Sequence, residues 1–176
     1  MTCIVGIVKN KKVYIGGDSA FISGWGIVVR PDEKVFQRDG ITFGCAGSPR
    51  AANLLRYHLR IPEPSGNDLL RYMATDFVNA MRDCFKEGGY AERENEAESI
   101  SSVFLIGVLG RLFECDSDYQ MKEVRDYAAI GSGEDAALGA LFATRQKAPI
   151  ARIQIALEAA EAYSWSVRGP FHILKC

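Results

Sequence analysis

Thr2-Cys3-Ile4-Val5-Gly6-Ile7-Val8, then Lys9-Asn10-Lys11-Lys12, then Val13-Tyr14-Ile15-Gly16-Gly17-Asp18, set two apolar runs around a polar quartet. The first run is apolar and rich in β-branched residues, which suits a pleated and largely buried strand. The polar quartet turns the chain, Val13 to Ile15 resumes the strand pattern, and Gly16-Gly17-Asp18 closes it. A chain that opens on a hairpin of this kind is built from antiparallel strands.

Beyond this pair, residues 25–30 and 34–37 are again strand-like, split by Pro31-Asp32-Glu33, with Trp25 opening the first of them. Asp39-Gly40 is a tight-turn dipeptide that leads into Ile41 to Ala46. Gly47-Ser48 then ends the strand, and Pro49 occupies the first position of a helix. Leu70, Met73, Phe77, Met81 and Cys84 recur at spacings of 3, 4, 4 and 3, one apolar stripe of a helix capped by Asn67 and stopped by Gly88-Gly89. Ala91 to Ser99 is charged and small, and reads as a solvated loop. Strand patterns return at 102–109 and 112–115. Helical ones follow at 134–144 and, after Pro149, along Ile150, Ile153, Leu157 and Ala160. Phe171 to Lys175 is a last strand. Helices grouped in pairs between runs of antiparallel strands predict an α+β architecture, a four-layer αββα sandwich of two stacked antiparallel sheets flanked by helix pairs.

The 176 residues suit a single domain, 1–176, able to bury a core without metals or disulfides. A net charge of -1 gives no electrostatic reason to expect nucleic acid or an anionic membrane surface as partner. No apolar run approaches the length of a membrane span. Cys3, Cys45, Cys84, Cys115 and Cys176 show no paired spacing and read as reduced thiols, so a cytoplasmic location is expected. The two histidines, His58 and His172, are far apart, which argues against histidine-centred zinc sites and charge-relay triads. Glu114, Asp116 and Asp118 lack the loop glycine and closing glutamate of a calcium loop and read as a polar turn. Gly131-Ser132-Gly133 lacks the lysine of a phosphate loop. No cofactor or metal is expected.

Chemistry without histidine can come from the chain terminus. Met1 precedes a small residue, so removal of the initiator methionine would leave Thr2 as the N-terminal residue. A free N-terminal threonine carries its own nucleophile, the hydroxyl, and its own base, the α-amine. An α-amine with an ordinary pKa of about 7.7–8.0 is already matched to neutral pH.

Asp18 lies sixteen residues after Thr2, and Lys34 sixteen after Asp18. With Thr2-Cys3-Ile4-Val5-Gly6, Ile15-Gly16-Gly17-Asp18, Lys34-Val35, Gly44-Cys45-Ala46-Gly47-Ser48 and Ile130-Gly131-Ser132-Gly133, the sequence resembles the proteasome β-subunit family, including peptidase subunits of the HslV type. The resemblance runs over nearly the whole chain and implies the fold of N-terminal-nucleophile hydrolases. It implies Thr2 as nucleophile after loss of Met1, Lys34 as the charge that poises it, and Asp18 as the partner of Lys34. Gly47 matches the glycine whose N–H faces the developing oxyanion. Ser132 matches a serine that supports the amine, while a serine before a helix can equally be its N-cap. Glu161-Ala162-Tyr163-Ser164 resembles the family's Asp-x-x-Ser segment, with Glu161 one methylene longer and Ser166 competing with Ser164 for the register. Cys3 stands where HslV-type subunits often carry a second threonine; it should face away from Thr2 and takes no catalytic role.

The activity so implied is that of a threonine endopeptidase working in a homo-oligomeric ring on unfolded polypeptides. The resemblance also implies an ATP-dependent unfoldase as partner, and since the chain has no nucleotide motif of its own, ATP use would belong to that partner. A catalytically silent ring or scaffold subunit, and an amidase acting on small amides, are the alternatives. Side-chain preference would be set by a pocket near Phe21, Asp32 and Cys45.

Overall fold

Alternation along the strands sorts the apolar side chains into three separate cores. In the computed structural model, which describes residues 1–23, 26–64, 66–94 and 97–176, strand β1 (Ile4–Lys9) shows how this happens. Ile4 points to one face, Val5 and Ile7 to the other, as the two-residue period of a strand requires. β1 pairs antiparallel with β2 (Lys12–Gly17), so the hairpin expected from the opening stretch is present. β3 (Ala20–Ser23) and β4 (Gly26–Val29) pair antiparallel as a separate two-stranded sheet. The proposed strand start at Trp25 lies outside the described residues.

β5 (Val35–Arg38) and β6 (Ile41–Gly47) then begin a second sheet. α1 (Pro49–Tyr57) follows, with Ser48 as its N-cap accepting from the Arg50 N–H. α2 (Leu69–Tyr72) passes through a π-helical turn, Met73–Phe77, into α3 (Val78–Glu87). β7 (Glu92–Glu94) and β8 (Ala97–Ser99) pair with each other, then come β9 (Ser102–Val108), β10 (Arg111–Cys115), β11 (Met121–Val124) and β12 (Tyr127–Ile130). α4 (Glu134–Ala143), α5 (Pro149–Tyr163) and β13 (His172–Lys175) complete the order. One sheet runs β12-β1-β2-β13 and the other β11-β10-β9-β6-β5.

Between the sheets lie Ile4, Ile15, Val35, Leu105, Leu112 and Ile130. The outer face of the second sheet packs Phe43, Phe104 and Phe113 against Leu54, Phe77 and Phe85 of the α1–α3 layer. The outer face of the first packs Val5 and Ile7 against Ala137, Ile153 and Leu157 of α4 and α5. Each such aliphatic or aromatic side chain contributes about 1.5–3 kcal/mol by leaving water. Gly44 lets the sheets approach: a Cβ there would stand 2.4 Å from Ile4 Cγ2. The four-layer sandwich is the architecture the element order predicts.

Several local expectations change. Asp68, not Asn67, caps the helical segment, its carboxylate accepting from the Arg71 N–H at 3.1 Å. Within the charged stretch 91–99, where a loop was expected, β7 and β8 pair antiparallel. Glu98 on β8 meets Arg82 and Lys86 of α3 at 2.8 and 2.7 Å, so its carboxylate seats β8 on the helix. β11 escapes the apolar pattern because its links to β10 are ionic, Lys122 to Glu114 and Glu123 to Arg111. Ile150 is exposed, and the buried stripe of α5 begins at Ile153.

Candidate active site

Antiparallel pairing brings five chain ends to one edge of the sandwich. Thr2 precedes β1, while Asp18 follows β2 and Ser132 follows β12, the two strands that flank β1. Lys34 precedes β5 and Gly47 ends β6 in the facing sheet. Continuing the β1 register places Cys3 beside Asp18, and the Asp18 N–H donates to the Cys3 carbonyl at 3.2 Å. On the other side the Gly133 N–H donates to the Thr2 carbonyl at 3.3 Å. The sixteen-residue steps in the sequence are therefore the lengths needed to leave this edge and return to it.

Asp18 is buried and saturated. Its Oδ1 accepts from the Cys3 N–H at 3.0 Å and from Lys34 Nζ at 2.8 Å. Its Oδ2 accepts from the N–H groups of Ala20 at 3.1 Å and Arg168 at 3.4 Å. A buried carboxylate with this many donors is compensated for leaving water. Lys34 Nζ also donates to the Met1 carbonyl at 3.3 Å, the same oxygen that accepts from Thr2 Oγ1 at 2.6 Å. The nucleophile expected from the sequence and the lysine expected to poise it thus converge on one atom.

Electrostatics follow from burial. Burial lowers the Lys34 ammonium below its ordinary value, and the charge and hydrogen bond of Asp18 work against that fall. The Met1 amine is also lowered, first by burial and then by Lys34, with Asp18 opposing. The Cys3 thiol is pushed up to about 12, chiefly by burial and then by Asp18, and it packs into the core beneath α4 and α5. It is a neutral packing group here.

Ser132 accepts from the Thr2 N–H at 3.1 Å. The N-cap position of α4 is Gly133, with no side-chain cap, so the Ser132 hydroxyl takes no capping role. Gly131 makes room for that contact: at φ 95° its Cβ would fall 2.3 Å from the Thr2 carbonyl oxygen.

The segment after α5 is arranged differently from expectation. Glu161 Oε1 accepts from the Gly169 N–H at 3.0 Å, and no hydrogen bond among the described residues joins its carboxylate to Thr2 or Ser132. The longer glutamate side chain reaches forward along its own segment and staples it. Ser164 does not touch Ser132 either; its hydroxyl lies 2.8 Å from Ser166 Oγ. Ser166, fully buried, is the residue whose Oγ lies 3.0 Å from Ser132 Oγ. A turn closed by the Val167 N–H on the Ser164 carbonyl at 3.2 Å brings the two hydroxyls together. The second serine two places on was the sequence signal, and only the turn decides between them.

A cavity opens beside Thr2, bounded by Phe21, Asp32, Cys45, Gly47, Asn53 and Arg56. All three residues expected to shape side-chain preference line it. Arg30 lies over the Phe21 ring, 4.9 Å from its centroid, and is paired with Asp32, so the mouth carries both charges. Among the described residues no group of histidine, cysteine and acidic side chains gathers to hold a metal ion. None of their helices is long and apolar enough to cross a membrane.

This edge-on arrangement can be compared with solved structures. BPH from Thiobacillus denitrificans superimposes with a TM-score of 0.84 at 22% identity, covering 99% of this chain and 97% of that one. The same protein in complex with epoxomicin gives 0.83 at 21% identity, over 99% and 98%. HslV from Trypanosoma brucei gives 0.65 at 18% identity, over 99% and 98%. The chain has the proteasome β-subunit fold. No protein-family model matches the chain, and no curated protein does. The likeness to proteasome-type chains is therefore one of architecture, spread over their full length and carried by few identical residues.

Proposed function

We propose that the chain is a threonine-type endopeptidase subunit whose nucleophile is Thr2, freed by removal of Met1. The observation that carries this reading is the convergence of Thr2 Oγ1 and Lys34 Nζ on the Met1 carbonyl, with Asp18 behind the lysine and Ser132 on the Thr2 nitrogen. Once Met1 is gone, that nitrogen is an amine adjacent to the hydroxyl. Thr2 Oγ1 attacks the scissile carbonyl while the amine takes its proton, and the Lys34 charge favours the developing negative oxygen. The Gly47 N–H faces the oxyanion. Collapse expels the leaving amine, which takes the proton back from the Thr2 ammonium, and leaves an ester on Thr2. Water, deprotonated by the same amine, hydrolyses the ester.

Asp18 and Lys34 act as positioning and charge-supplying groups, and Glu161 and Ser164 belong to the segment that closes the back of the site. The cavity beside Thr2 receives the substrate side chain before the cleaved bond. We extend the reading to a homo-oligomeric ring of 1–176 domains working in the cytoplasm on unfolded polypeptides delivered by an ATP-dependent unfoldase. The proteasome-type fold supports this extension, as does an exposed apolar run along β4, Ile27 to Val29.

The test is chemical. Intact-mass measurement of protein from its native host should show loss of one methionine, and an electrophilic peptide such as epoxomicin should label Thr2. Thr2→Ala should fold normally and lose all peptide cleavage; Thr2→Ser should retain part of it. Persistent turnover in Thr2→Ala contradicts the reading. Light scattering that finds only a 19.4 kDa monomer contradicts the ring.

A further inference from the structure

Five charged side chains line the cavity beside Thr2: Arg30, Asp32, Glu33, Lys34 and Arg56. Four of them have partners of opposite sign. Arg30 holds both carboxylate oxygens of Asp32, and Lys34 holds Asp18 at 2.8 Å. The Glu33 carboxylate lies 3.0 Å from Nδ1 of His172 on β13. Arg56 is the exception. Among the described residues its guanidinium has no acidic partner: Nη2 donates to the Glu33 carbonyl oxygen at 2.6 Å, and the buried Nε finds no acceptor. We propose that Arg56 makes this cavity a seat for an acidic side chain, so that the protein cleaves after glutamate in preference to neutral or basic residues. The proposal rests on the reading of Thr2 as a peptidase nucleophile and of the cavity as the seat of the residue before the cleaved bond.

The helix that follows Gly47 puts Arg56 there. Pro49, Ala52, Asn53 and Arg56 recur at the spacing of one helical face, and all four line the cavity. Seven residues of helix rise about 10 Å, so Arg56 stands at the end of the cavity far from Gly47. Its Cα–Cβ bond tilts toward the helix N-terminus, which starts the side chain back toward Gly47. Ala52 keeps the space between them open. The guanidinium lies 4.4 Å from the centroid of the Phe36 ring while its edge is held by the Glu33 carbonyl. It is thus fixed in place without losing its charge to an acid. That charge reaches the cavity wall: burial pushes the Cys45 thiol up to about 12, and Arg56 is the group that opposes the rise.

The preference follows from what each side chain would meet. A glutamate carboxylate accepts charge-assisted hydrogen bonds from the free Nη groups, about twice as strong as those of a neutral amide. Glutamine fills the same space with the weaker bonds. Leucine covers the guanidinium and offers no acceptor, which costs the donors their water. Arginine brings like charge against like. Asp32 does not reverse this order, because Arg30 already neutralises it. Aspartate is one methylene shorter than glutamate and falls short of a group at the far end of the cavity. A site whose donors wait for a partner rejects analogues that lack one.

The experiment uses the protein with Met1 removed, by methionine aminopeptidase if its host has not done so. kcat/KM is measured on four fluorogenic peptides that differ only in the residue before the reporter: Glu, Gln, Leu or Arg. Unfolded casein is digested in parallel and its new C-termini are mapped by mass spectrometry. Glu should exceed Gln about tenfold, the advantage of a charge-assisted bond over a neutral one, and the casein products should end mainly in Glu. Arg56→Met, long enough to stay on the Phe36 ring but uncharged, should bring the Glu/Gln ratio to about one. Arg56→Glu should turn the preference toward the Arg peptide. Asp32→Asn frees Arg30 and should raise the Glu/Gln ratio, which keeps the test decisive if the Arg56 variants do not fold. Cleavage after Gln or Leu equal to that after Glu, or a ratio that survives Arg56→Met, overturns the proposal and leaves the peptidase reading standing. A wild-type protein that cuts neither the four peptides nor casein overturns the peptidase reading, and the role of Arg56 falls with it.

Discussion

Lys34 Nζ and Asp18 Oδ1 stand 2.8 Å apart, the carboxylate fully buried and the lysine side chain 16% exposed. The pair spans the two sheets: Asp18 directly follows a strand of one and Lys34 directly precedes a strand of the other. Three backbone N–H groups, from Cys3, Ala20 and Arg168, complete the carboxylate's hydrogen bonds. Asp18 is thus both the counter-charge of the lysine and a clasp that ties three segments to the site.

Asp18→Asn should therefore destabilise the protein. The amide keeps one acceptor and adds donors that face donors, and the lysine loses its counter-charge. Breaking a buried pair from one side costs about 3–5 kcal/mol, and because Lys34 reaches solvent the low end, about 3 kcal/mol, is expected. Urea unfolding measures this directly. A midpoint equal to wild type would show that the carboxylate charge is dispensable.

Lys34 should make activity and stability respond oppositely to alkali. Burial lowers its ammonium below the ordinary lysine value of 10.5. Activity that needs the charge should fall as pH rises through that lowered value, and the fall should come at still lower pH in Asp18→Asn, since Asp18 raises it. Between the lowered value and the ordinary one the unfolded chain binds more protons than the native state, so this residue's contribution to stability rises with pH. Lys34→Met should abolish that rise. Paired pH profiles of kcat/KM and of unfolding free energy test both signs, and parallel slopes would contradict the assignment.

The sandwich was legible because its strands alternate and its helices carry one-sided stripes. The opening hairpin, the Asp39-Gly40 turn and the Ser48-Pro49 helix start are local features, each written in a few residues. Thr2, Asp18, Lys34, Gly47 and Ser132 were named through the family resemblance, and their spacing fits strands of fixed length that return to one edge. What stayed hidden depends on contacts between distant segments. β11 is held by cross-strand ion pairs instead of an apolar face, and β8 is seated by Arg82 and Lys86. Glu161 resembled a site residue, but its extra methylene lets it reach the Gly169 N–H, and the turn at Ser164 hands the contact with Ser132 to Ser166.

The thiols should react unequally. Burial pushes Cys3, Cys45 and Cys115 up to about 12, and it also raises Cys84. A thiolate is the reactive form, so these four should resist iodoacetamide in the native protein at neutral pH. Cys176, only partly buried at the chain end, should be modified first. Peptide mass mapping after a short exposure distinguishes them, and early labelling of Cys3 or Cys45 would contradict the packing described around Thr2.

Gly47 should tolerate no side chain, whereas Gly40 should tolerate one at modest cost. Both have positive φ, 125° and 76°. A Cβ on Gly47 would lie 2.5 Å from the Ser101 carbonyl oxygen and 2.8 Å from Ser102 Cα, backbone that cannot step aside, while Gly40 has open space. Gly40→Ala should cost about 1 kcal/mol of strain and Gly47→Ala about 3 kcal/mol or more, with peptide cleavage reduced about a hundredfold as the oxyanion donor is displaced. Thermal unfolding and kcat measured side by side separate strain from catalysis. Equal stability loss in the two variants would place Gly47 outside the tight edge of the site.

The first sheet meets its helix layer through a contact that a double-mutant cycle can measure. Gly16, on β2, lies under α5 so closely that a Cβ would stand 2.4 Å from Ile153 Cγ2 and 3.3 Å from Leu157 Cδ1. Gly16→Ala should lift α5 and cost about 1–3 kcal/mol by overpacking. Ile153→Ala should cost about 2–5 kcal/mol through the cavity it leaves. The added methyl would sit at the edge of that cavity, so the double variant should be more stable than the sum of the two losses by about 1 kcal/mol. Because α5 leads directly into the turn that holds Ser164 and Ser166, the Gly16→Ala variant should also weaken peptide cleavage, and Ile153→Ala in the same chain should restore part of it. Strict additivity in both stability and activity would mean that α5 is positioned by other contacts and that its packing does not reach the site.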